Sequence, residues 1–208
     1  MRYIKKFGPE KKVEYYNNGN IKSIVYKLNG QRHREDGPAI EKWFENGQKE
    51  EEIYLINGIL HREDGPTDIS WFENGQKKSE HYIIHGDYHR KNGPSYQEWY
   101  ENGQKEYEHY CINNNFHRKN GPALIEWHEN GSVREERYYI DDKLCREDGP
   151  AIYRLFEDGE LDEIHFYLKG IKYDREEWLK KLKKMNSPYY KEQKELYEIE
   201  KNMEKYNL

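Results

Sequence analysis

The feature that most constrains this chain is a period of 28 residues. The segment His-Arg-Glu/Lys-Asp/Asn-Gly-Pro begins at His33, His61, His89 and His117, and again at Cys145 with Cys in place of His. Trp43, Trp71, Trp99 and Trp127 recur in step, followed by Leu155. So do Asn46-Gly47, Asn74-Gly75, Asn102-Gly103, Asn130-Gly131 and Asp158-Gly159. A Tyr/Phe column runs through Tyr54, Tyr82, Tyr110, Tyr138 and Phe166. These columns define a repeat domain over 1–172, with a partial unit at 8–32 and full units at 33–60, 61–88, 89–116, 117–144 and 145–172. In such an array each unit buries its apolar surface against its neighbours rather than in a central core.

Composition agrees with a thin array. Leu, Ile, Val and Phe make up only 18% of the chain, which excludes a thick aliphatic core. The aromatic share of 15% and a net charge of only −5 exclude a disordered tail. No apolar run approaches the ~18 residues of a membrane helix, and the basic start lacks the apolar stretch of a signal peptide. Cys111 and Cys145 are the only cysteines, which predicts a reducing, cytoplasmic location. No phosphate-binding loop, dinucleotide fingerprint, zinc-protease motif or nucleophile elbow occurs. Neither an enzyme nor a cofactor is expected.

Each unit reads as β structure. Asn-Gly between alternating segments is a strong hairpin signal, because a type I′ turn needs positive φ at both central residues. Two such turns are expected per unit, for example Asn46-Gly47 and Asn57-Gly58. They leave strands near 39–45, 48–56 and 59–63, the last running across the Gly-Pro bend into the next unit. A two-residue turn at 46–47 sets Trp43 opposite Glu50 and Ala39 opposite Tyr54. One face then carries Ala39, Glu41, Trp43, Glu52, Tyr54, Ile56 and His61, and the other Ile40, Phe44, Ile53, Leu55, Leu60 and Arg62. The first face hardly changes between units and reads as framework. The second varies through Ile40, Asp68, Tyr96, Leu124 and Ile152, through Ile53, His81, His109, Arg137 and His165, and through Leu55, Ile83, Cys111, Tyr139 and Tyr167. Variable positions in a repeat are free for recognition.

Segments such as Trp43-Phe-Glu-Asn-Gly-Gln-Lys and Tyr54-Leu-Ile-Asn-Gly-Ile-Leu-His resemble the MORN-repeat variant family and the related YwqK-type antitoxin family. The likeness covers 8–172, with a longer period than ordinary MORN repeats. It implies hairpin architecture. It also implies capture of another protein, as an antitoxin or immunity-type inhibitor or as a phage or viral protein that takes a host factor.

After Ile171 the pattern turns helical. Asp174 and Glu177 form a capping-box-like start, and Trp178, Leu179, Leu182 and Met185 follow at helical spacing. Ser187-Pro188 opens a second helix with Leu196, Ile199, Met203 and Tyr206 on one side. Residues 173–208 are expected to cap the last sheet edge, or alternatively to oligomerise the chain through 187–208. Charge is uneven, at +6 over 1–32, −12 over 33–172 and +1 over 173–208. An acidic repeat body argues against DNA and suits a basic partner.

Equivalent histidines one unit apart are separated by two strands, about 9–10 Å. That is too far to share a metal whose ligands sit about 2.1 Å away, so no metal site is expected. The unbroken columns Arg34, Arg62, Arg90, Arg118, Arg146 and Glu52, Glu80, Glu108, Glu136 read as internal ion pairs and turn clamps. Alternatively, the Arg ladder and aromatics hold a small anionic ligand such as a nucleotide. Together these readings predict an elongated antiparallel β-hairpin repeat, a meander or solenoid with a short helical C-terminal cap, that binds a protein partner. Tyr96, Tyr100, His81, His109, His128, Arg137 and Tyr139 are the candidate contacts, because aromatic and Arg side chains anchor interfaces.

Overall fold

A computed structural model describes residues 8–206. Residues 1–7 and 207–208, the ends of the expected repeat domain and cap, lie outside the described residues. The chain divides into two compact units, one ending at Asn114 and the other beginning at Asn115. Both are antiparallel β-hairpin meanders, and the second also carries two C-terminal helices.

In the first unit eight strands pair in chain order. They are Glu10–Tyr15, Ile21–Leu28, Ile40–Trp43, Lys49–Ile53, Asp68–Trp71, Lys77–His81, Tyr96–Trp99 and Lys105–His109. In the second, Leu124–Trp127, Val133–Arg137, Ile152–Leu155, Leu161–Leu168 and Ile171–Tyr173 do the same. Each repeat also makes a two-residue ribbon, such as Leu55–Ile56 with Ile59–Leu60, or Tyr139–Ile140 with Lys143–Leu144.

The two Asn-Gly turns of a repeat differ. Asn57 and Gly58 have φ of 49° and 78°, so this is the expected type I′ turn. The equivalent pairs Asn29-Gly30, His85-Gly86, Asp141-Asp142 and Lys169-Gly170 share that geometry. At Asn46-Gly47 only the glycine is left-handed, at 88°. Gly47 donates to the Phe44 carbonyl at 2.9 Å, and Phe44 donates to the Gln48 carbonyl at 2.9 Å. This is a type I turn followed by a glycine bulge, not type I′. The Asn46 side-chain oxygen accepts the Gln48 N–H at 2.9 Å, and its amide donates to the Glu73 carbonyl at 3.4 Å. The extra residue corrects the expected register. Ile40, Glu41 and Lys42 face Ile53, Glu52 and Glu51 as pairing arithmetic gives, but Trp43 faces Lys49 rather than Glu50. Lys49 thereby joins the framework face, where its Nζ lies 4.8 Å from the Trp43 ring and bonds Glu41 and Glu52 at 3.0 and 2.6 Å.

The third strand is also shorter than expected. It ends at Leu60, residues 61–66 form a loop, and the next hairpin starts at Asp68. The loop is fixed by its Arg. The Arg62 guanidinium lies 4.0 Å over the Tyr54 ring, donates through Nε to Asp64 at 2.8 Å and through Nη1 to the Pro66 carbonyl at 3.1 Å. Arg34, Arg90, Arg118 and Arg146 make the same bond to the carbonyls of Pro38, Pro94, Pro122 and Pro150. Hence the Arg-to-Pro segment repeats: each part of it closes one bend.

The histidines that open the first two full repeats each hold the type I′ turn later in the same repeat. His33 Nδ1 accepts the Asn57 N–H at 3.1 Å and His61 Nδ1 the His85 N–H at 3.2 Å, at the first residue of the following type I′ turn. Backbone bonds from Gly58 to the Arg32 carbonyl and from Gly86 to the Leu60 carbonyl join successive ribbons.

The ribbons lie against the variable face. Ala39, Ile40 and Leu55 are buried together, with Val25, Ile53 and Leu60 packed on them. At the bend, Ala39, Thr67, Ser95, Ala123 and Ala151 are fully buried, so only small side chains fit there. Where the residue is Thr67 its hydroxyl both accepts the Ile83 N–H and donates to the Ile83 carbonyl, at 2.8 and 2.9 Å.

In the second unit, α1 (Arg175–Lys184) is capped by Asp174, which accepts the Glu177 N–H at 2.8 Å. Its Trp178, Leu179 and Leu182 bury against Phe166 and Leu168 of the last long strand. The Trp178 indole donates to the Arg146 carbonyl at 3.3 Å. α2 (Tyr190–Tyr206) adds a bond from Gln193 to the Asp148 carbonyl at 2.9 Å. Leu196, Ile199 and Met203 remain exposed. No helix among the described residues is long and apolar enough to cross a membrane.

Candidate functional site

The ribbon-proximal half of the variable face is partly covered. In the first unit Tyr88, on the ribbon Asp87–Tyr88, folds over the sheet row Asp68, His81, Tyr96 and His109. Its hydroxyl meets His81 Nδ1 at 2.8 Å, and its ring lies 6.3 and 5.0 Å from those of Tyr96 and His109. Tyr96 also contacts the rings of His81 and Tyr107 at 4.5 and 5.6 Å and donates to Glu98 at 2.7 Å. Burial pushes the His81 pKa down, and burial with the neighbouring His81 charge takes His109 down to about 4. Asp68 moves the other way, to about 6, chiefly through burial and then through the charge of Glu51.

Toward the hairpin tips this face is open, and Asp68 and His81 border both parts. A cleft of about 530 Å³ there is lined by Phe44, Glu51, Asp68, Ser70, Phe72 and His81. In the second unit an open cleft of about 690 Å³ is lined by His128, Arg134, Arg137, Arg154 and Phe156 around Glu135. Arg137 and Arg154 both pair with the buried Glu135, which holds its carboxyl below the usual range despite burial.

The structure therefore brings His81, Tyr96 and His109 into one ring cluster, and sets His128 and Arg137 on one cleft. Tyr139 stacks on Phe116 at 5.1 Å on the ribbon side. Tyr100 sits at a hairpin tip, where its amide bonds the Gln104 carbonyl at 2.9 Å.

A further set of sites, which column variability does not mark, follows the framework columns. Three open clefts follow one another in the first unit, the first between Gly8-Pro9 and the Arg34 loop and the next two between successive Arg loops, floored by Tyr26 and Leu28, by Tyr54 and Ile56, and by Tyr82 and Ile84. Their volumes are about 630, 580 and 590 Å³. In the loops between them, Asp36 and Asp64 are bonded to Arg34 and Arg62, whereas Glu35 and Glu63 stand 84% and 80% exposed. At the same place in the next loop stands Lys91. The sequence signal for these clefts was present in the unbroken Tyr and Ile columns, which pattern reading assigns to packing alone.

Among the described residues no group of three or more His, Cys, Asp or Glu is arranged to hold a metal ion. No family model matches the chain, and no curated protein matches it. Neither comparison identifies a MORN-variant or YwqK-type family.

Proposed function

We propose that this chain is a non-enzymatic binding protein that captures a protein partner on its repeat surface, in the manner of an inhibitor or antitoxin. The observation that carries the reading is the row of three equivalent clefts, similar in size and presented at successive repeats. A macromolecule can engage several such subsites at once, and the linked contacts reinforce one another. The Arg ladder supports a small anionic ligand less well, since each Arg is turned onto its own loop carbonyl. A chain whose two cysteines, Cys111 and Cys145, form no disulfide suits a reducing, cytoplasmic setting.

The test places a photo-crosslinking residue at Ile56 on a cleft floor, at His128 on the second unit's cleft, or at Lys191 on α2, and exposes each full-length variant to a lysate of the source cells. The expected result is one stoichiometric protein adduct from Ile56 or His128 and none from Lys191. No adduct from either cleft overturns the reading. A second reading, self-association through 187–208, is favoured by the exposed Leu196, Ile199 and Met203. It predicts a dimer mass that reverts to monomer when 187–208 is deleted.

A further inference from the structure

The row of clefts has a period, and a period selects the conformation of what lies along it. Successive clefts are one repeat apart, which is two strands of sheet. The ribbon bonds from Gly58 to Arg32 and from Gly86 to Leu60 hold the same step on the cleft side. Two strand spacings amount to about 9.5 Å.

An extended β peptide advances about 3.3 Å per residue and alternates faces. Its same-face positions recur at about 6.6 or 13 Å, and neither matches. An α-helix returns to the same face after seven residues, at about 10.5 Å, and slips by about 1 Å per cleft. A polyproline II helix has three residues per turn and a rise of 3.1 Å, so every third side chain points the same way at about 9.3 Å. Only the last stays in register over three clefts. Polyproline II segments dock on shallow clefts with aromatic walls; here Tyr26, Tyr54 and Tyr82 line the three clefts, each with one Arg guanidinium stacked on its ring, from Arg34, Arg62 and Arg90 at 4.3, 4.0 and 3.6 Å.

The rims specify charge. Glu35 stands in the loop between the first and second clefts and Glu63 in the loop between the second and third, both exposed, while Lys91 follows on the far side of the third. We propose that the first unit binds a polyproline II segment of its protein partner, with cationic residues three apart over Glu35 and Glu63 and an anionic residue three further on, toward Lys91. The proposal rests on the protein-capture reading above and names the segment captured.

The probe is a fluorescein-labelled Pro-rich peptide with Lys at two positions three apart and Glu three beyond. Its controls have the same composition with the charges spaced by two or by four. Binding to the full chain is followed by fluorescence anisotropy. The three-spaced peptide is expected to bind at least about tenfold tighter than either control, a difference of ~1.4 kcal/mol. The double variant Glu35→Ala/Glu63→Ala should lose that advantage with its melting temperature unchanged, since both side chains are exposed. Lys91→Glu should shift preference to a peptide with Lys at all three positions. Equal binding of the three spacings, no binding of any peptide, or an unaffected double variant each overturn the proposal. A crosslinked partner whose capture ignores Glu35 and Glu63 leaves protein capture standing and removes this inference alone.

Discussion

The guanidinium carbon of Arg62 lies 4.0 Å from the centre of the Tyr54 ring, and Gly65 is the residue that leaves it room. A Cβ added at Gly65 would sit 2.8 Å from that carbon. Gly65 is not in the left-handed region, so its backbone accepts alanine, and the three nearest atoms the new Cβ meets all belong to the Arg62 guanidinium. Gly65→Ala is expected to expel the guanidinium from its stack and from Asp64 and Pro66. The cost is about 1–2 kcal/mol net of the reduced entropy of the unfolded chain. In an Arg62→Ala background the same change should cost nothing or stabilise slightly. Urea denaturation of the four proteins measures this; additive losses would refute the clamp.

Asn46 and Asn57 precede glycine alike, yet they answer differently to glycine. Asn57 is needed for its φ of 49°, which glycine adopts without strain, so Asn57→Gly should change stability by no more than about 0.5 kcal/mol. Asn46 contributes its side-chain bonds to Gln48 and to the Glu73 carbonyl of the next repeat. Asn46→Gly loses both, for about 1–2 kcal/mol. Equal effects in thermal denaturation would mean that the two turns share one geometry.

The repeat, its hairpins and the framework face were legible because each rests on a local residue preference repeated five times, and the helical end because Asp174 caps it and its apolar residues keep helical spacing. The type I turn at Asn46-Gly47 was not. The dipeptide is the same as at Asn57-Gly58, but Phe44 pairs with Gln48 across three residues whereas Ile56 pairs with Ile59 across two, and the same three-residue loop forms at Asp158-Gly159. Variability at Asp68, His81, Tyr96 and His109 read as a free surface, but the ribbon bends at Tyr82 and lays Tyr88 over that row. Column variation alone does not reveal which half of a face a ribbon covers. The loop clefts were hidden for the opposite reason: their floors are invariant, and invariance reads as packing.

The cap makes a sharp prediction for the second unit. Trp178 is fully buried against Phe166, with ring centres 4.8 Å apart. Trp178→Ala should cost about 3–5 kcal/mol. Leu196→Ala, on the exposed side of α2, should stay within about 0.5 kcal/mol. A small loss at Trp178 in chemical denaturation would show that the helices do not close the sheet.

Asp68 and His109 set opposing pH slopes on stability. Unfolded, they titrate near about 3.9 and 6.5; folded, near about 6 and about 4. Between those limits the folded chain keeps a proton on Asp68 that the unfolded chain has released. Its contribution is full below about pH 4 and is lost as pH rises through about 6. The folded chain also refuses a proton on His109 that the unfolded chain accepts. That contribution is full above about pH 6.5 and is lost as pH falls through about 4. The two largely offset each other in the wild type, and His81, also shifted down, adds to the histidine side. Asp68→Asn should therefore steepen the fall of melting temperature on acidification from about pH 6.5 to 4, and His109→Gln should flatten or reverse it. The change in slope is at most about 1.4 kcal/mol per pH unit, and less for Asp68, which is partly open to solvent. Circular dichroism melts of the three proteins across this range decide it, and parallel curves would show that neither group is perturbed by the fold.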